Sequence, residues 1–208
     1  MNYDSPVPQT QTPADSATRG RAPGRRNEKA RKAVLEAADD LLVERGFAGV
    51  TIEGIASRAG VAKQTIYRWW PSKVEVLLDT LVEDSAKLLP SPETGSAVSD
   101  ARRYLRDLID FITDDDAGKV LLALIGAAQH DGAVAEALHA RYLDPQRREQ
   151  RAMLERGVES GELAPDLDLD RALDALLGPI LYRAMVTGGP LDHSLVDGIV
   201  DQVLEQRA

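Results

Sequence analysis

Val34, Ala38, Leu41 and Leu42 recur at spacings that put them on one face of a first helix. The stretch "ERGF" closes it: Gly46 can take a left-handed position after the last turn, and Phe47 can fold back on that turn. Thr51 is placed to cap a second helix running to Ala59, with Glu53 near its positive end and Ile52, Ile55, Ala56 and Ala59 facing inward. Gly60 breaks that helix, and a short third one follows over about 63–69. Ser72 and Glu75 form a capping box that opens a fourth helix, whose inner positions are Val74, Leu77, Leu78 and Leu81. Residues 88–100 read as a loop from their Pro, Gly and Ser content. Helical period then resumes over about 99–113, 118–130, 133–160 (bent near Pro145), 169–187 and 192–206. No alternating strand pattern and no internal repeat appears, so the predicted fold class is all-α.

Composition narrows the picture. The chain has 208 residues, 43% of them apolar, which suffices to bury a sizeable core. With no Cys there is no disulfide framework, thiol nucleophile or Cys-ligated metal, and a reducing compartment fits. No apolar run approaches the roughly 20 residues that cross a bilayer, and the first residues lack a secretory signal. The expectation is a cytoplasmic protein with no membrane contact. Net charge is −9, but it is unevenly spread. Residues 1–70 carry 11 Lys/Arg against 8 Asp/Glu, whereas residues 71–208 carry 14 against 26. Local potential rather than total charge guides a polyanion. Residues 1–26 are polar and rich in proline and arginine, and are expected to form a mobile basic arm. Its "RGRAPGRR", with Arg25 and Arg26, resembles arms that enter a minor groove.

The stretch "GVAKQTIYRWWPSK" (60–73) gathers aromatic and basic side chains in an otherwise acidic, aromatic-poor chain. A helix ending in Ala-Gly, a tight turn and a short polar helix make a helix-turn-helix pattern. Ile66 and Trp70 are expected in the core. Lys63, Gln64, Thr65, Tyr67 and Arg68 then lie outward, and they are types that read base edges or hold phosphate. Trp69 and Lys73 are expected to grip phosphate, and Thr51, Arg25 and Arg26 are counted with the DNA-binding set.

At these residues the chain resembles the DNA-binding domain of the TetR family of transcriptional regulators. The resemblance covers about 28–81, including "ERGFAGVTIEGIA", "AGVAKQTIY" and the aromatic-Pro-Ser-Lys step. "GPILYRAMVTGGPLD" (178–192) is similar to late helices of one group of the family's C-terminal domains. The resemblance implies an all-helical homodimer on a palindromic operator, with a regulatory domain that responds to a small molecule. The domain expectation is an arm over 1–26, a helix-turn-helix unit over 27–72, and a regulatory and dimerisation unit over 73–208. Three departures stand out. Ala62 replaces a common Ser, forgoing an N-cap worth about 0.5–2 kcal/mol. Gln64 replaces a small residue, and Trp69 replaces a more usual His or Tyr.

In the C-terminal part, Leu173, Leu177, Ile180, Leu181 and Ala184 on one helix and Leu195, Ile199 and Val203 on another are expected to build the dimer interface. Tyr104, Phe111, Leu122, Ile125, Gln129, His130, Tyr142, Met153 and Tyr182 are candidate lining for an effector cavity, and about a third of them are expected to line it. Enzyme readings fail. In "DLDLD" (166–170) Arg171 and Leu177 occupy the Gly and Glu positions a calcium loop requires. His130 and His139 are nine apart, which does not pair two metal ligands on a helix face. "TDDDAGK" (113–119) has no phosphate loop around it, and no cofactor is implied. The competing reading is a helical protein-interaction module with a vestigial first domain. Salt-dependent DNA binding separates the two.

Overall fold

The computed structural model describes the backbone of residues 23–205 and the side chains of residues 27–205. Ten α-helices follow one another: α1 (Pro23–Gly49), α2 (Ile52–Ala59), α3 (Lys63–Tyr67), α4 (Lys73–Leu88), α5 (Ala97–Asp114), α6 (Asp116–Ala128), α7 (Gly132–Leu138), α8 (Asp144–Ser160), α9 (Leu169–Tyr182) and α10 (His193–Val200). There is no strand among the described residues.

Helix α1 starts a few residues before the end of the expected arm. Pro23 suits a first helical turn, where its missing N–H costs nothing. The rest of the arm lies outside the described residues. The break expected in "ERGF" falls at Gly46, where φ is 67° and ψ 173°. That is a glycine-only conformation beyond the left-handed helical one anticipated, and it turns residues 47–49 into a separate short turn. Thr51 caps α2, its Oγ1 accepting from the Gly54 amide at 3.0 Å. Gly60 closes α2 in a left-handed conformation, with φ 66° and ψ 32°.

The capping box at α4 is only half made. Ser72 Oγ accepts from the Glu75 amide at 3.3 Å, but the Glu75 carboxylate turns away to Arg141. The bend expected near Pro145 is a π-helical turn, His139–Leu143, between α7 and α8. Proline has no N–H, and its ring displaces the carbonyl four residues back. The chain widens instead, and the Asp144 amide reaches the His139 carbonyl. Two more π turns, Arg183–Thr187 and Asp201–Glu205, extend α9 and α10.

One apolar core joins the two halves. Val34, Leu41, Ile55, Ile66 and Trp70 close the helix-turn-helix unit, and Leu77, Leu78 and Leu81 of α4 continue that core upward. Helix α6 packs against both α1 and α4. The helix-turn-helix unit is therefore held to the regulatory helices through α1.

Candidate nucleic-acid interface and effector cavity

Helix α3 is anchored by one side chain. Ile66 is fully buried, whereas Lys63, Gln64, Tyr67 and Arg68 are exposed and Thr65 and Trp69 half-buried. No side chain caps α3 at Ala62; the Thr65 amide bonds the Ala62 carbonyl at 2.8 Å instead. Trp70 packs edge-on against Trp69, with centroids 5.3 Å apart. The outward set anticipated from the sequence is thus presented together on one short helix. Arg25 and Arg26 lie outside the described side chains.

Two members of that set have other work. The Thr51 hydroxyl oxygen is engaged in capping α2. Lys73 is a correction. Its ammonium donates to the carbonyls of Phe47 at 2.7 Å and Val50 at 2.9 Å, and lies 4.4 Å from the Phe47 ring centre. Burial lowers its pKa. Lys73 therefore satisfies carbonyls left open where α1 ends, rather than pointing at phosphate. The bond spans more than twenty residues, so no local pattern could have announced it.

The regulatory helices line a partly open cavity of about 270 Å³. Tyr104, Leu108, Leu121, Ile125, Tyr142, Leu177 and Leu181 supply half of its lining residues. Two amides provide polarity: Gln150 donates to the Tyr104 hydroxyl at 2.7 Å, and that hydroxyl donates to Gln146 at 3.3 Å. Burial pushes the Tyr142 phenol up to about 12 and raises that of Tyr104 too. Both rings therefore remain neutral hydrogen-bonding groups at neutral pH.

Of the expected lining, Tyr104, Ile125 and Tyr142 face the cavity. Phe111 and Met153 are buried and do not line it, although Met153 borders a small neighbouring void with Tyr104, Gln150 and Leu177. Leu122 and Gln129, each one turn from Ile125, do not line the cavity. Gln129 bonds the Ile125 carbonyl at 3.3 Å, and His130 is exposed beside it. Tyr182 is 58% exposed. The missed signal is Gln146 and Gln150, two amides one turn apart within the charged run of α8.

The π turn connects this cavity to the DNA-binding unit. His139, Tyr142 and Leu143 line the cavity. Arg141, between them, donates to Glu75 and Asp79 of α4. Asp79 also accepts from the Trp70 indole at 2.7 Å, directly after the recognition helix. Arg31 of α1 joins the cluster, 3.6 Å from Asp79 and 2.9 Å from Glu83.

A model described as "Bacterial regulatory proteins, tetR family" matches residues 34–80. One described as "Tetracyclin repressor-like, C-terminal domain" matches residues 91–203. The chain belongs to the TetR family. An uncharacterised HTH-type transcriptional regulator of Bacillus subtilis, YdeS, is 41% identical over 175 residues, covering 84% of this chain and 88% of that protein. The DNA-binding transcriptional repressor TetR of Mycobacteroides abscessus is 28% identical over 187 residues, covering 86% and 94%. The crystal structure of the TetR family transcription regulator SCO0332 shares 33% identity and superposes with a TM-score of 0.73, covering 86% of this chain and 99% of that one. The helix-turn-helix unit is accordingly that of a DNA-binding transcriptional regulator.

In this TetR-family regulator the apolar residues of α9 and α10 divide differently from the sequence reading. Leu173, Ile180 and Ile199 are buried within the subunit. Leu177 and Leu181 line the cavity, and Ala184, Leu195 and Val203 are half-buried against the core. The stripe is wide because its inner half closes the subunit. Its outer half carries Ala175, Gly178, Tyr182 and Val186, all exposed. Ala175 and Pro179 face Val203 and Gln202 across a groove between α9 and the end of α10. No described helix is long and apolar enough to cross a membrane, and no described cluster of His, Asp or Glu could hold a metal.

Proposed function

We propose that this regulator is a homodimeric repressor, acting in the cytoplasm, that holds a palindromic operator through Lys63, Gln64, Thr65, Tyr67 and Arg68 and leaves it when a small molecule fills the cavity. The observation carrying this reading is the π turn of residues 139–143. One five-residue segment supplies cavity wall through His139, Tyr142 and Leu143 and a clamp on α4 through Arg141. An occupant that displaces Tyr142 must disturb Arg141, and with it the Asp79 carboxylate that fixes Trp70. The ligand must bind the DNA-free arrangement more tightly, because equal affinity shifts no equilibrium. The wall favours an apolar molecule with one or two hydrogen-bonding groups that meet Tyr104 and Gln150. Arg147, at the cavity edge, is already paired with Asp170 and Asp174.

Arg141→Met tests the clamp without the natural ligand in hand. The side chain keeps an unbranched apolar stem and loses the guanidinium. Operator affinity is expected to fall about 5- to 150-fold, the range of ordinary allosteric coupling. Helical content and oligomeric state should be unchanged. Wild-type operator affinity in this variant would separate the cavity from the DNA-binding unit and remove the proposed route.

A further inference from the structure

We propose that Glu53 is a base-reading residue and that, with Lys63, it reads one G·C pair in each half-site as a unit. The inference rests on α3 being the recognition helix. Glu53 stands in the first turn of α2 and Lys63 opens α3, so the turn between them brings a carboxylate onto the face that presents Gln64 and Tyr67. Lys63 Nζ donates to Glu53 Oε1 at 2.9 Å, and both side chains are more than half exposed. The contact lowers the pKa of Glu53 and raises that of Lys63, so the pair is fully ionised at neutral pH.

A carboxylate on a surface that meets a polyanion calls for a positive reason. Its position near the N-terminus of α2 supplies a modest one, through the helix dipole. The edges of the major groove supply a stronger one. An ionised carboxylate only accepts hydrogen bonds, and the base edges offer it donors only at cytosine N4 and adenine N6. Within a G·C pair, guanine O6 and cytosine N4 are bonded to each other, hence about 2.9 Å apart. That separation matches the Lys63–Glu53 head groups. The ammonium can donate to O6 and the adjacent N7 of guanine while the carboxylate accepts from cytosine N4. On an A·T pair the same placement fails twice: the ammonium meets the adenine N6 donor where O6 would be, and the carboxylate meets thymine O4, acceptor against acceptor. On a T·A pair the carboxylate still meets a donor at adenine N6, but the ammonium loses N7, whose place the thymine methyl takes. The pair also enters the groove with no net charge, so Lys63 adds nothing to the counterions released at phosphate.

Selection of sites from a random DNA library, run with wild type, Glu53→Gln and Glu53→Asp, tests the assignment. The wild type should enrich a half-site containing one fixed G·C pair. Glu53→Gln should lose about 5- to 150-fold of preference at that one position, equivalent to the 1–3 kcal/mol of a base contact. It should also bind with a salt dependence steeper by about one phosphate contact, because Lys63 is released. Glu53→Asp keeps the charge at the helix end but falls a methylene short, and should lose the same preference with a normal melting temperature. An unchanged consensus in Glu53→Gln, with affinity raised equally for all sequences, would reduce Glu53 to a mask on Lys63 and overturn the proposal. A wild type that enriches no site would instead contradict the reading of α3.

Discussion

Tyr182→Glu is expected to yield folded monomers that no longer hold an operator. Tyr182 is 58% exposed and Val186 69%, on the outer side of α9 and the π turn that extends it. Ala175 and Gly178 continue that side toward the N-terminus of α9, and space lies open around Gly178. Small residues flanked by exposed aromatic and branched ones let a second helix approach closely. In a two-fold interface each residue meets the same patch on its mate, so one substitution introduces two carboxylates into one seam. The subunit core is untouched, because Tyr182 is outside it. A monomer loses the second half-site, and with it an avidity of about 10²- to 10⁴-fold. Light scattering and operator binding read both consequences. A stable dimer of Tyr182→Glu would move the interface elsewhere. Ile180→Glu is a different experiment: Ile180 is fully buried, so a charge there costs on the order of several kcal/mol and unfolds the subunit rather than parting the dimer.

The second large effect is expected at Gly118, near the start of α6. A Cβ there would lie 2.0 Å from the Phe111 carbonyl oxygen and 2.7 Å from the Ile112 Cα. Both are backbone atoms of α5, so no rotamer change relieves the overlap. Helix α6 would have to move off α5, and α6 packs on α1 and α4. Gly118→Ala should therefore cost about 3 kcal/mol, at the upper end of ordinary overpacking. The melting temperature should fall by about 6–12 °C for a chain of this size. Gly126→Ala, later in the same helix and with no neighbour within 4 Å, serves as the control. It should be neutral or stabilise by up to about 1 kcal/mol. Equal melting temperatures for the two variants would contradict the close α5–α6 approach.

The punctuation of the DNA-binding unit was legible in the sequence because it is local. Gly46, Thr51, Gly60 and Ser72 each act within a few residues of themselves, and each ends or caps a helix where the pattern placed it. Lys73 was misread because its partners, Phe47 and Val50 at and just past the end of α1, are near in space and remote in sequence. The π turn was visible only as a bend, since proline says that the helix must yield but not how. The cavity was a third legible: a large residue on an apolar face looks the same whether it packs against a neighbour, as Phe111 does, or borders a void, as Tyr142 does. The stripe on α9 was read as one surface, though a helix buried on one side and apolar but exposed on the other has two. Gly178 and Ala175 marked the outer side by their size, which an apolar count does not register.

In the proposed function two copies of this chain read a symmetric DNA site. The most direct measurement is selection of bound sequences from a random library of about 30 base pairs with the full chain near physiological salt, followed by salt titration on the enriched site. An inverted repeat is expected, with half-sites on one face of the duplex and log affinity falling linearly as log salt rises. Enrichment of nothing, or of a lone asymmetric half-site, would contradict it.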